Sequence, residues 1–379
     1  MTPPGPPPAA SPSTGPRIVV AGGHSAGHIE PALAVADAVR RLDATARVTA
    51  LGTERGLDTV LIPARGYPLE LIPPVPMPRR PTRALLQVPA QVVDAVRVTG
   101  AVLDRHDAQV VIGFGGYVAL PAYLAARRRR IPIVVHEANA KAGLANRVGA
   151  RLTRHVYTAS AAVALPHGRP VGIPLRPAIA DLDRPSARPE AALRFRLDAD
   201  RPTLMVTGGS QGAQAINRVV VDALPALLAA GVQVLHIVGR DNVHQIPTEV
   251  AADGAGRYEA VPFVADMQWA YAAADLVICR SGAMTCAELA AVGLPAVFVP
   301  LPLRGGEQRL NADPVVAAGG GLLVADADFS AGWITQNVLP LLGDPTRLAT
   351  MSRAAARVGN RDAADVLARH VLALAGTRA

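Results

Sequence analysis

Aromatic residues make up only 3% of this 379-residue sequence, charged residues 18%, and Lys141 is its single lysine. So few rings and lysines leave little from which to build the stacking platforms that hold single-stranded nucleic acid, and nucleic acid is not an expected partner. Scarce charge together with 50% hydrophobic residues and a mean hydropathy of +0.25 excludes a disordered chain. The two cysteines, Cys279 and Cys286, form no CxxC motif and no disulfide framework, so reduced thiols in the cytoplasm are expected. Residues 1–16 lack the basic start and apolar run of a signal peptide and read as a Pro-rich tail.

One uncharged run, Ala108 to Ala126, imitates a membrane span and is followed by Arg127 to Arg130. Gly113, Gly115, Gly116 and Pro121 interrupt it, and the β-branched Val110-Val111-Ile112 ahead of them predicts strand, tight turn and helix. The net charge of +8 points to an anionic partner.

What the sequence does contain is a repeated grammar of apolar strand, glycine turn and amphipathic helix. Strands are expected at Arg17 to Ala21, Arg47 to Leu51, Val110 to Ile112, Ile131 to Val135 and His155 to Thr158. After a polar, Pro- and Arg-rich stretch at Arg176 to Glu190, read as a linker, they resume. The later set is Thr203 to Thr207, Gln233 to Val238, Glu259 to Val261, Leu276 to Cys279, Ala296 to Val299 and Leu322 to Val324. Continuous apolar strands alternating with helices predict α/β domains with parallel sheets covered on both faces. The halves open alike, on Ile18-Val19-Val20-Ala21-Gly22-Gly23 and Leu204-Met205-Val206-Thr207-Gly208-Gly209, so two similar doubly wound domains with a cleft between them are expected. Helices follow near Ala331 to Leu342, Pro345 to Val358 and Ala363 to Leu374, the last crossing back to the first domain.

The first glycine turn, Ala21 to Val39, has neither G-x-G-x-x-G nor G-K-[ST], so it is neither a dinucleotide fingerprint nor a P-loop. It opens a helix whose N-terminus suits an anion or a sugar hydroxyl, with Pro31 placed in a first turn. His28 at its mouth is a candidate general base, since imidazole is matched to proton abstraction near neutral pH. In the second turn, Thr207 to Asn217, Ser210 and nearby amides suit a phosphate. In Cys279 to Pro300 the Ser281-Gly282 turn starts a helix with free N–H groups for a diphosphate, and Glu288 on it suits the two hydroxyls of a ribose. Cys286 reads as core. The polar strings His136 to Asn146 and Gly305 to Asp313 read as loops at a carboxyl sheet edge, suited to sugar hydroxyls. Three Asp-x-Asp strings, at Asp181/Asp183, Asp198/Asp200 and Asp326/Asp328, lie in turn-like sequence, and no metal site is read from them.

Six motifs carry a family resemblance over nearly all of residues 17–375: Ala26-Gly27-His28, Gly113-Phe114-Gly115-Gly116-Tyr117, His136-Glu137-Ala138-Asn139, Gly208-Gly209-Ser210-Gln211-Gly212-Ala213, Arg280-Ser281-Gly282-Ala283-Met284-Thr285 and Glu307-Gln308-Arg309-Leu310-Asn311-Ala312. In these the chain resembles the MurG family of bacterial glycosyltransferases, which move N-acetylglucosamine from UDP-N-acetylglucosamine to lipid I to make lipid II for the peptidoglycan wall, and so serve cell shape and division. The resemblance implies the GT-B fold, inversion at the anomeric carbon, no cofactor or metal, and peripheral attachment to the cytoplasmic face of the membrane. It implies an acceptor domain over 17–177, a donor domain over 178–357 and a C-terminal helix, 358–379, returning to the first. Donor contacts would fall on Ser25, Ala26, Gly27, Asn139, Arg176, Ser210, Val264, Ala283, Met284, Thr285, Cys286, Ala287, Glu288 and Gln308, with Glu288 on the ribose and Gln308 on the sugar. His28 matches the family's proposed base, and Glu137 and Asn146 match polar positions near the acceptor.

The chain departs from the family at His24, where glycine is more usual, and at Arg304 before Glu307; with His24 toward the acceptor, the base would move there. Basic residues Arg79, Arg80, Arg83 and Arg127 to Arg130, among apolar neighbours, suit an anionic membrane surface. A sugar-nucleotide epimerase and a non-catalytic nucleotide-sugar binder are the competing readings.

Overall fold

The computed structural model describes residues 15–75, 88–209, 212–245, 247, 256–302 and 305–377. Ser210, Arg304, Arg79, Arg80, Arg83 and most of the Pro-rich tail lie outside the described residues.

Among the described residues the first half forms a seven-stranded sheet, in the order β3-β2-β1-β4-β5-β6-β7. Its strands are β1 (Arg17–Gly22), β2 (Arg47–Gly52), β3 (Leu69–Leu71), β4 (Val110–Gly115), β5 (Ile133–Glu137), β6 (His155–Thr158) and β7 (Gly168–Pro170). The second half forms a six-stranded sheet, in the order β10-β9-β8-β11-β12-β13. Here the strands are β8 (Thr203–Thr207), β9 (Gln233–Ile237), β10 (Arg257–Val261), β11 (Leu276–Cys279), β12 (Ala296–Phe298) and β13 (Gly321–Leu323). Every pairing is parallel. The two sheets share one topology: strand order reverses between β1 and β4 and again between β8 and β11, and a doubly wound sheet opens its ligand crevice at such a reversal. The Gly22-Gly23 and Gly208-Gly209 turns leave the strands at these two reversals.

Burial explains why the strands read so plainly. Ile18, Val20, Ile112 and Val134 pack on one face of the first sheet with the helix Ala26–Leu42, while Val19, Val111 and Val135 pack on the other with Gly116–Arg128. A strand covered on both faces must be apolar at every position rather than at alternate ones. The same two-sided cover buries Met205 and Val277 on one face of the second sheet and Leu204, Val206 and Ile278 on the other. The run that imitated a membrane span is β4 and the helix Gly116–Arg128. Among the described residues no helix is long and apolar enough to cross a membrane.

The C-terminal helix Ala363–Gly376 buries Ala363, Leu367, Ala368 and Val371 in the same core as Ile18 and Leu33 of the first domain. The chain therefore passes between the domains twice, before the second sheet and again after it.

Several expectations are corrected. The stretch Arg176 to Glu190 is not a linker but contains the helix Pro177–Ala180 and most of Arg184–Arg194. Prolines sit at the starts of both, where a missing N–H costs nothing. Its arginines point inward: Arg184 donates to the carbonyls of Tyr271 (3.0 Å) and Gly293 (2.9 Å), and Arg188 grips Asp275 with bonds of 2.8 and 2.9 Å. Polar composition thus hid a segment whose cations satisfy the ends of other elements. The helix read over Ala331 to Leu342 is two, Ala331–Asn337 and Leu339–Leu342. The three-residue edge strands β3 and β7 are too short to show a period, and the sequence reading missed them.

Candidate active site

On the first domain the site is built from the loops leaving β1, β2, β4 and β5. The helix Ala26–Leu42 starts directly after the first glycine turn, with Ser25 as its N-cap. Pro31 lies beyond the first turn of this helix rather than in it, so the Gly27 carbonyl lacks its donor four residues on. Ser25 Oγ lies 3.1 Å from His28 Nδ1. With the proton on Nδ1, the ring donates to Ser25 and Nε2 keeps its lone pair free to take a proton. Burial, and after it the neighbouring His24, lower the imidazole below its ordinary value, against Asp58, which raises it. His28 is therefore neutral at pH 7, as a base must be.

The ring rests on Gly115, whose φ is +97°. A Cβ at Gly115 would stand 3.0 Å from His28 Cδ2, 3.2 Å from Nε2 and 3.5 Å from Asn146 Nδ2. Glycine is needed there twice over, for the backbone angle and for the space. The lack of a side chain at Gly115 thus lets His28 and Asn146 approach the same side of one backbone position.

Glu137, at the end of β5, spends its carboxylate on its own loop. Oε1 accepts from the amide of Asn139 at 2.9 Å, and Oε2 from the amide of Gly143 at 2.9 Å and from Asn146 Nδ2 at 3.0 Å. Burial raises its pKa, against these bonds, which lower it. Asn146 also donates to the His136 carbonyl at 3.0 Å and accepts from Tyr123 Oη at 2.8 Å. Both residues shape the loop that carries Asn139.

The sequence reading missed Asp58, which is fully buried and holds the first glycine turn. It accepts from the His24 amide (2.8 Å), the Thr53 amide (2.9 Å) and Thr53 Oγ1 (3.0 Å). An aspartate opening a short helix is too common to single out; only the long-range bond to His24 marks it. His24 itself adopts a φ of +77°, the left-handed region that favours glycine, and stacks its exposed ring 4.7 Å from that of Tyr117. The bulk that departs from the family pattern is thereby accommodated on the surface, and it is His28 that lies over Gly115.

On the second domain the helix Ala283–Val292 leaves the end of β11, with Gly282 as its N-cap. Ser281 is fully buried and its Oγ has no hydrogen-bond partner among the described residues. Glu288, one turn and a half into the helix, is 9% exposed and accepts from Tyr271 Oη at 2.6 Å. Burial raises its pKa, while Tyr271 and Arg176 lower it. Arg176 donates to the Ala265 carbonyl at 3.4 Å, beside Val264, and its Nε is buried without a partner among the described residues. Arg176, Val264, Tyr271 and Glu288 thus form one corner of the site. Ala283, Met284, Thr285 and Ala287 lie along the same helix, whereas Cys286 is buried in the core and its thiol is pushed up by that burial. Gln308 accepts from the Leu301 amide at 2.9 Å; the string Gly305 to Asp313, read as a loop, is mostly the helix Glu307–Ala317. Of the Asp-x-Asp strings, Asp326 is engaged by Arg280, and among the described residues no group of three or more metal-ligating side chains occurs.

Between the domains lies a cavity of ≈ 450 Å³ lined by, among others, Ala140, Gly172, Ala283, Ala287, Asn311 and Asn360. Two Rossmann-like domains, one presenting a neutral histidine and the other a helix N-terminus with a buried carboxylate, define a GT-B glycosyltransferase. The models of the glycosyltransferase family 28 N-terminal and C-terminal domains match residues 18–158 and 203–367, and the chain belongs to glycosyltransferase family 28. It is 57% identical over 355 residues (93% of this chain, 96% of the relative) to the UDP-N-acetylglucosamine--N-acetylmuramyl-(pentapeptide) pyrophosphoryl-undecaprenol N-acetylglucosamine transferase of Streptomyces coelicolor. It is 58% identical over 376 residues (95% and 98%) to the enzyme of the same name from Rhodococcus jostii. The crystal structure of MurG from Acinetobacter baumannii superposes with a TM-score of 0.75 at 27% identity, covering 94% of this chain and 98% of that one.

Proposed function

We propose that the protein transfers N-acetylglucosamine from UDP-N-acetylglucosamine to the 4-hydroxyl of the N-acetylmuramyl sugar of lipid I, with inversion, to form lipid II. The observation that carries the reading is the placement of His28, with its Nε2 lone pair free, at the strand-order reversal of one sheet, while the equivalent part of the other sheet offers the Gly282 helix start, Glu288 and Arg176. Full-length identity of 57–58% to enzymes named for this transfer supports the substrates.

The reaction is a single in-line displacement. His28 Nε2 takes the proton of the acceptor hydroxyl, its oxygen attacks the anomeric carbon, and the bond to the diphosphate breaks with UDP as leaving group. Charge developing on the diphosphate is met by the free amides at the start of Ala283–Val292 and by Ser210. Glu288 accepts from the ribose, the Val264 backbone and Arg176 border the nucleobase, and Asn139 and Gln308 contact the sugar, with Ser25, Ala26 and Gly27 closing over the donor. The test is a transfer assay with a lipid I analogue: UDP should be released only when that acceptor is present. Release without acceptor, or epimerised sugar, would replace this reading by hydrolysis or epimerisation.

The acceptor's lipid places the work at the cytoplasmic face of the membrane, which the protein reaches as a peripheral protein. Arg127, Arg128 and Arg130 are exposed at the end of Gly116–Arg128, whereas Arg129 is committed to Asp104 through two bonds of 2.6 Å. Each free cation near an anionic surface contributes about 1 kcal/mol. Replacing these three arginines by serine should weaken cosedimentation with anionic vesicles by roughly tenfold or more, and undiminished binding would remove them from the membrane contact.

A further inference from the structure

The domains touch at a point that the reaction described above does not use. The loop after β5, residues 138–143, is N-terminal-domain backbone held rigid from beneath by Glu137, through the amides of Asn139 and Gly143. Between those two amides, the Ala140 N–H reaches across the cleft and donates to Asn311 Oδ1 at 3.1 Å. Asn311 belongs to the helix Glu307–Ala317 of the other domain, and its Nδ2 donates in turn to the Ser281 carbonyl at 3.3 Å. Next to this bridge the chain's single lysine, Lys141, donates through Nζ to the Gly305 carbonyl. Gly305 has a φ of +106°, and a Cβ there would lie 3.3 Å from that nitrogen.

The connectivity is specific in what it joins. On one side, a single residue away from Ala140, is Asn139. On the other, one residue past Ser281, is Gly282, the N-cap of the helix bearing Glu288, and one helical turn before Asn311 is Gln308. An asparagine suits the position because its amide offers an acceptor for the Ala140 N–H and, on a separate atom, a donor for the Ser281 carbonyl. Alanine would remove both and leave the Ser281 carbonyl without this donor.

The geometry points to Asn311 as a positioning residue, an interdomain latch that locks the Glu137-braced loop onto the start of the donor helix so that Asn139 and Gln308 flank the transferred sugar. This rests on the glycosyl-transfer reading above. It also gives Glu137 a part without any direct contact to substrate: its carboxylate sets the loop that the latch catches. Hydrogen bonds that hold two rigid bodies in register lower the entropy lost on reaching the reactive arrangement, and small misplacements there are costly in rate.

The test compares Asn311→Ala, Lys141→Ala and, as a neighbour on the same helix, the exposed Arg309→Ala. Three readouts are taken: kcat/KM with UDP-N-acetylglucosamine and a lipid I analogue, the Kd of UDP by calorimetry, and the radius of gyration by small-angle scattering with UDP-N-acetylglucosamine bound. Loss of two neutral hydrogen bonds predicts a fall in kcat/KM of roughly 10- to 100-fold for Asn311→Ala, and one of about threefold to tenfold for Lys141→Ala. The UDP Kd should stay within about twofold of wild type, since the groups proposed to hold the ribose and the diphosphate stand on the second domain, and Arg309→Ala should match wild type throughout. The radius of gyration should rise in Asn311→Ala. A parallel loss of UDP affinity would mean that Asn311 merely holds the donor helix together, and unchanged kcat/KM would remove the latch; either overturns the proposal. If Asn311→Ala does not fold, the surface variant Lys141→Ala decides by the same readouts. Absence of transfer by the wild type would count against the reaction rather than the latch, which the scattering comparison still tests: an unchanged radius in Asn311→Ala overturns it.

Discussion

Replacing His28 by alanine should lower kcat by roughly 10²- to 10⁴-fold, the range that a positioned general base contributes, while leaving the Kd of UDP within about twofold of wild type. The separation of the two effects follows from the geometry. His28 stands on the first domain, its ring bonded to Ser25 Oγ at 3.1 Å, while Glu288, in the corner proposed to hold the nucleoside, sits on the second with Arg176 packed against it. The pH profile supplies a further signature. Because burial and the nearby His24 lower the His28 pKa below 6.5, the base form persists into mildly acidic solution, and kcat at saturating donor should fall as pH drops through that lowered value. This acidic limb of kcat should vanish in His28→Ala. Gly115→Ala offers an independent route to the same result, since its Cβ would press on the imidazole at 3.0 Å and strain a backbone with φ of +97°. It should reduce kcat with UDP affinity intact. By contrast His24→Ala, which removes only a surface ring from Tyr117, should keep most of the activity. A His28→Ala enzyme with near-normal turnover would take His28 out of the role.

Glu288→Ala should weaken UDP binding by roughly 10- to 100-fold, as expected for the loss of hydrogen bonds to a charged acceptor, each about 1.5–3 kcal/mol. The carboxylate is 9% exposed, and Tyr271 Oη donates to Oε2 at 2.6 Å, which leaves the remaining acceptor capacity for a ligand's hydroxyls. Burial raises its pKa above the ordinary carboxylate value, so the acceptor form is lost earlier than for a surface glutamate. UDP affinity should therefore decline on the acid side as pH falls through that raised value, and the decline should disappear in Glu288→Ala. Glu288→Gln, which keeps one acceptor oxygen, should fall between wild type and alanine. Calorimetry decides: an unchanged UDP Kd in Glu288→Ala would end the ribose assignment.

Much of this architecture was legible because both sheets are buried on two faces. A strand such as Val110-Val111-Ile112 can then be apolar throughout, and the glycine turns that end β1 and β8 stand out as breaks in a strong pattern. His28 was singled out as a candidate base for a related reason, as a histidine a few residues past such a break. The segment Arg176 to Glu190 misled because side-chain polarity signals solvent only when no buried carbonyl or carboxylate needs a cation, and Arg184 and Arg188 answer that need at Gly293 and Asp275. Asp58 escaped because its importance lies in a bond to His24 from 34 positions away.

The sequence alone determined the α/β class, the duplication into two similar domains and the positions of the glycine turns, since these depend on local periodicity and on the backbone freedom of glycine. Tertiary structure decided the rest: that Gly115 carries His28 and Asn146 on one surface, that Glu137 braces a loop, and that Asn311 joins that loop to the donor helix. Such relations are distances between residues far apart in the chain. They arise only when packing of the sheets and helices brings separate loop ends to the same edge, which no window of neighbouring residues encodes.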